Sequence, residues 1–229
     1  MNDEKSMNDE NKREIGIPGE IIVTGKDYLP GEGTRREGEE ILAEKFGLID
    51  ISGRLVKIIP LSGIYMPRPG NVVIGRVLDA NFSGWMMDIN APYSSFLPVA
   101  ECPRFIKGDL TEFLAIGDMV VCKVDNVKPK GVDLTIKIRG LGKLENGMII
   151  FINSNKVPRV IGREGSMIKM IKDETRCDIV VGQNGIVWIA GEKVEDELKA
   201  KEAIMFVVEK SFVEGLTEKV QEWFNGRKK

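Results

Sequence analysis

Gly162-Arg163-Glu164-Gly165 lies between the apolar pair Val160-Ile161 and a stretch that turns helical in pattern at Met167 and Ile168. Two glycines three apart remove the side chains at both ends of a four-residue loop. One use of that arrangement is a helix end followed by a turn. The other is a backbone that a sugar-phosphate chain can approach closely. Ser166 is expected to cap the helix that follows. The first amides of that helix, near Gly165 and Ser166, carry the positive end of its dipole. Arg163 adds a formal charge, and Lys169 and Lys172 reach the same edge. Glu164 opposes them, because a carboxylate in the loop repels phosphate. Ligand contact and packing between domains both remain open readings of this loop.

Other chemistry is scarce. The 229 residues contain no histidine, which removes the commonest general base and the commonest metal ligand. Cys102, Cys122 and Cys177 are far apart with no CxxC spacing, so neither a disulfide framework nor a zinc site is expected. No tight group of carboxylates stands beside apolar strand ends. The sequence therefore reads as non-catalytic, with no cofactor and no metal. No run of eighteen apolar residues occurs, so no membrane span is expected. The polar start, MNDEKSMNDENKRE, has no apolar core of a secretory signal, and the expected compartment is the cytoplasm. Net charge is -2, distributed unevenly: residues 1–66 carry 9 basic against 13 acidic side chains, 67–144 carry 10 against 8, and 145–229 carry 14 against 14. Phosphate neutralisation supplies most nucleic-acid affinity, so a single copy should bind such a ligand only modestly.

The elements that would position these groups fall into three parts. Residues 1–14 read as a solvated tail. Residues 15–66 carry short β-type runs at 20–23, 48–52 and 55–60 with heavy Gly and Pro punctuation, a small β domain; the polar segment 35–46 is expected as a loop or short helix. After Pro67-Arg68-Pro69-Gly70, a stiff boundary, five β-type runs at 72–80, 84–89, 93–97, 119–127 and 132–139 fit a small closed barrel. A helical turn or loop is expected at 111–115, and Gly140-Leu141-Gly142 marks the next joint. Residues 143–229 then predict a strand at 148–152, a short helix at 157–161 with Pro158 at its first position, the glycine loop, a helix from Ser166 to Thr175, strands at 177–181 and 186–190, and a long helix at 193–213. Gly182-Gln183-Asn184-Gly185 signals a hairpin. Val194, Leu198, Ile204, Met205, Val208 and Phe212 form the apolar stripe of the long helix. Gly215 stops that helix, and a last short helix follows at 216–224.

The order strand, helix, Gly-x-x-Gly, helix, strand, strand, helix, with Val160-Ile161-Gly162…Gly165…Ile168 inside it, resembles the KH domain, in which such a loop clamps the backbone of single-stranded RNA. The resemblance implies RNA contact at Gly162, Arg163, Gly165 and Lys169. The middle part, with Val73-Ile74-Gly75-Arg76-Val77, Gly84-Trp85-Met86-Met87-Asp88-Ile89 and Ser95-Phe96-Leu97-Pro98, resembles the S1 domain, an OB-fold barrel. Such barrels stack bases on exposed aromatics beside basic groups. Phe82, Trp85, Tyr93 and Phe96 are the stacking candidates. Arg68, Arg76, Arg104, Lys107, Lys137 and Arg139 are the phosphate candidates. For each aromatic, packing into the barrel core fits the alternation as well as stacking does.

A small N-terminal β domain, then S1 (67–142), then KH (143–229) resembles the RNA-binding cap subunit of the archaeal exosome. IVTGKDYLPGEGTRR and LSGIYMP resemble the opening of that family and its lead-in to the barrel. The absence of paired cysteines separates the chain from the sister cap subunit that carries a zinc ribbon. The resemblance implies three copies on one face of a six-membered ring of RNase PH-type subunits that degrades RNA phosphorolytically from 3′ to 5′, with the S1 domains around the pore guiding single-stranded RNA inward. Polynucleotide phosphorylase places KH before S1, behind two large catalytic domains that 66 residues cannot hold. A stand-alone S1/KH translation or transcription factor and a purely architectural protein are the other readings.

Overall fold

The computed structural model describes residues 14–101, 110–211, 213 and 215–227. The tail expected at 1–14 therefore lies outside them except for Glu14, whose carbonyl accepts from the Ile49 amide at 2.9 Å. Cys102, Arg104, Lys107 and Phe212 also lie outside. The chain divides after Gly63 into two compact units.

The first unit contains two small sheets. One comprises β1 (Ile15–Gly16), β6 (Gly47–Ser52), β7 (Leu55–Pro60) and β3 (Leu29–Pro30) in that order. The other comprises β2 (Ile21–Thr24), β5 (Glu40–Ala43) and β4 (Thr34–Glu37). The loop or helix expected at 35–46 is instead the β4–β5 hairpin, turned at Gly38 with φ 60°. The polar face of β4 is solvated, while Ile41, Leu42 and Ala43 of β5 enter the core with Val56 and Ile58. Thr34 ties the two sheets: its hydroxyl donates to the Val56 carbonyl at 2.9 Å.

The second unit opens on the barrel. Its strands are β8 (Val72–Asn81), β9 (Gly84–Asp88), β10 (Ser95–Pro98), β11 (Met119–Lys128) and β12 (Gly131–Thr135), closed by the β11–β12 pairing. Alternate residues point inward, among them Val73, Val77, Met87, Leu97, Val120 and Leu134, all buried. The short helix α1 (Leu110–Phe113) packs under them. The fifth run ends four residues earlier than expected, because the Ile136 amide leaves the ladder for the Glu101 carbonyl at 3.1 Å. Tyr65 enters the same core, and burial pushes its phenol up to about 12. Just past the Gly140-Leu141-Gly142 joint, β13 (Gly142–Leu144) adds to β11 as an edge strand.

The rest is a three-stranded antiparallel sheet, β14 (Met148–Phe151), β16 (Ile186–Ala190) and β15 (Asp178–Val181) in spatial order, with helices on one face. These are α2 (Val157–Ile161), α3 (Ser166–Thr175), α4 (Val194–Glu209) and α5 (Leu216–Gly226). Pro158 is the second residue of α2 rather than the first. The long helix is shorter than expected at both ends, and Val194 and Leu198 of its expected stripe are exposed. Its core face is Ala200, Ala203, Ile204, Val207 and Val208, and at about 100° per residue Leu198 points away from that face. Gly215 does not stop α4; it precedes α5 in a left-handed conformation.

The free face of this sheet is covered by the barrel. Ile149, Val180, Ile186 and Trp188 share one apolar cluster with Val72, Ile74, Met119 and Val121. The hairpin turn locks it. Asn184 is fully buried; its amide donates to the carbonyls of Ile74 (2.7 Å) and Ile89 (2.8 Å), and its oxygen accepts from the Ile74 amide (3.3 Å). Gln183 exchanges a second pair of bonds with Val72 at 2.8 and 3.0 Å.

Candidate nucleic-acid interface

The two loop glycines serve different ends. Gly162 closes α2, its amide donating to the Pro158 carbonyl at 2.9 Å, with φ 76°. A β-carbon there would lie 2.7 Å from both the Cβ and the amide nitrogen of Met167. The fold itself therefore requires this glycine, since the loop presses on the start of α3. Gly165 also has a left-handed φ, 78°, but a β-carbon on it would meet nothing within 4 Å. Its backbone faces open space. Between them Arg163 and Glu164 are exposed.

Ser166 does not cap α3. Gly165 holds the cap position with no side-chain bond, and Ser166 is the first helical residue. The first amides of α3 are thus left without a side-chain acceptor, which favours an anion there. Lys169 is exposed and Lys172 half-buried, while Met167 and Ile171 hold the helix to the core. Two further exposed cations lie on these helices, Arg159 on α2 just before the loop and Arg176 at the far end of α3. Sequence reasoning missed both. Arg159 stands one turn before Arg163, and that spacing was the available signal.

On the barrel, Phe82 is the exposed aromatic. It forms the tip of the β8–β9 turn and is 97% accessible. Asn81 shapes that turn by accepting from the Ser83 amide (2.9 Å) and hydroxyl (2.7 Å). Trp85 corrects the expectation: it is 0% accessible, its indole N–H donates to the Leu114 carbonyl at 3.0 Å, and it packs against Phe113. It is core, with no face for a base. Phe96 is half-buried on the outer surface, between Met86 of β9 and Asp133 of β12, and Tyr93 packs against the core cluster.

The basic candidates divide as well. Arg76 is exposed on the outer face of β8 opposite Asp88, and Arg68 and Arg139 are exposed. Lys137 is engaged: its Nζ is 2.9 Å from a Glu101 carboxylate oxygen, a hydrogen bond that holds the Glu101 carboxyl below its ordinary value. The candidates thus fall into two groups, the glycine-loop set and the barrel-surface set, on domains locked together by Asn184. Among the described residues, no three His, Cys, Asp or Glu side chains come together to hold a metal ion, and no helix is long and apolar enough to cross a membrane.

Residues 147–206 match the family profile of the KH domain. Over most of its length the chain is similar to proteins named exosome complex component Rrp4. It is 42% identical to that of Methanothermus fervidus over 213 residues, 93% of this chain and 95% of the relative. It is 41% identical to that of Picrophilus torridus, covering 94% of both. It is also similar to a solved crystal structure described as an exosome complex RNA-binding protein, with a TM-score of 0.64 and 32% identity over 72% of this chain and 97% of that one.

Proposed function

Because this chain belongs to the Rrp4 family of exosome complex components, we propose that it caps a six-membered ring of RNase PH-type subunits in three copies and guides single-stranded RNA into the ring pore. It is a non-catalytic, RNA-binding component of the exosome. The observation that carries the guiding role is an almost fully exposed aromatic, Phe82, on the barrel, with an open glycine backbone, Gly165, on the domain that Asn184 joins to it. Stacking on an exposed aromatic holds a single strand without reading its sequence.

Our division of labour follows the domains 15–66, 67–142 and 143–229. The S1 barrel and the KH loop supply RNA contacts through Phe82, Arg68, Arg76, Arg139, Arg163 and Lys169. The N-terminal domain supplies a docking face for the ring. Ile15, Leu48 and Ile59 line up across β1, β6 and β7, and Leu29 lies beside Leu55. Ile15 and Leu29 are more than half exposed, and aligned apolar side chains on one sheet face mark an interaction surface. The working compartment in this reading is the cytoplasm.

The test is assembly. The chain is mixed with the two RNase PH-type subunits and the product weighed by native mass spectrometry. Three copies per six-membered ring is the expected mass. A chain that stays monomeric beside an intact ring overturns the cap assignment.

A further inference from the structure

Glu164 is oddly placed for a loop that receives phosphates. It adopts φ 52° and ψ 27°, a left-handed conformation that Gly or Asn adopts more readily. It is exposed, and it forms no ion pair or hydrogen bond among the described residues, although Arg163, Lys169 and Arg159 are close along the chain. Its charge is therefore not neutralised within the loop. It stands next to Gly165, where the backbone is open.

We propose that Glu164 is an affinity-lowering residue of the RNA-binding loop: its unpaired carboxylate keeps the glycine loop a weak, quickly released contact for the phosphate backbone. A strand that is drawn through a pore must leave each contact as readily as it enters. A loop with Arg163 and the α3 amides alone would hold a phosphate longer. One uncompensated negative charge in the same loop offsets part of that attraction. At about 6 Å in water, a unit charge changes the affinity for a phosphate by about threefold.

This inference rests on the RNA-binding reading of the loop, and the experiment separates the two. Binding of a fluorescently labelled single-stranded oligonucleotide to the full-length chain is followed by anisotropy over a series of salt concentrations. Glu164→Gln, Glu164→Gly, Glu164→Lys and Arg163→Ala are compared with the parent, all at exposed positions. The expected result is about threefold tighter binding for Gln and for Gly alike. Glu164→Lys should bind about tenfold tighter, with a steeper salt dependence, and Arg163→Ala should bind more weakly. Tightening by Gly without tightening by Gln would assign the effect to backbone strain and overturn the proposal. A weaker Arg163→Ala beside unchanged Glu164 variants would overturn it while leaving the loop in contact with RNA. No change in any of the four would remove the loop from the RNA path altogether.

Discussion

Phe82 and Trp85 are three residues apart and do opposite jobs. Phe82 touches almost nothing in the folded chain, whereas Trp85 fills the barrel floor and satisfies its indole N–H on Leu114. Phe82→Ala should leave thermal stability unchanged and weaken single-stranded RNA binding by about 1–3 kcal/mol, the scale of one stacked base. Trp85→Ala should cost about 3–5 kcal/mol of stability, through a cavity that the closed barrel cannot collapse. Denaturant unfolding and RNA titration of both variants check the contrast. A destabilised Phe82→Ala with unchanged RNA affinity would reverse the assignment. Among the cations the same logic favours Arg139 over Lys137, because Lys137 must give up Glu101 before it can meet a phosphate.

At the scale of elements, the hairpin between β15 and β16 is the joint of the second unit. A turn in an isolated domain would be solvated. Here Asn184 is driven into the barrel wall, where the carbonyls of Ile74 and Ile89 depend on it for donors. Leaving buried carbonyls without donors costs about 1–3 kcal/mol. Asn184→Asp keeps the shape, removes both donors and turns a negative charge toward the carbonyls, so it should destabilise at least that much. Its expected signature is a lower melting temperature and faster hydrogen exchange at the Gln183 amide, which donates to the Val72 carbonyl across the same joint. Unchanged exchange there would mean that the apolar cluster alone holds the barrel to the sheet.

For the whole molecule, the net charge of -2 limits what one copy can do with a polyanion. In the proposed assembly three copies surround one pore, and the arithmetic changes, because a strand held at one site meets the next at high effective concentration. The isolated chain is expected to bind single-stranded RNA weakly, and the chain assembled on its ring at least about tenfold more tightly per strand. Parallel titrations of both forms at one salt concentration check this. Equal affinities would mean that the three copies do not share a strand.

The sequence by itself determined the order of modules, the barrel strands and the glycine loop. These are carried by signals that act over a few residues: apolar alternation, left-handed glycines, and turns that cannot extend a helix. The β4–β5 hairpin escaped it because Thr34–Glu37 is polar on a strand whose pairing, not its composition, makes it β. The stripe of α4 lies about 100° from the expected one, because Val194 and Leu198 carry a strong apolar signal on an exposed face while the buried line runs through Ala200 and Ala203, whose signal is weak. Trp85 was legible in principle, since it shares parity with Met87 and Ile89 while Asp88 marks the outer side. The tertiary structure alone decided that Gly162 is required by Met167 while Gly165 is open, and that Asn184 of a plain-looking turn joins two domains. Both depend on groups brought close by packing, 110 residues apart in the case of Asn184 and Ile74, and local pattern carries no record of such distances.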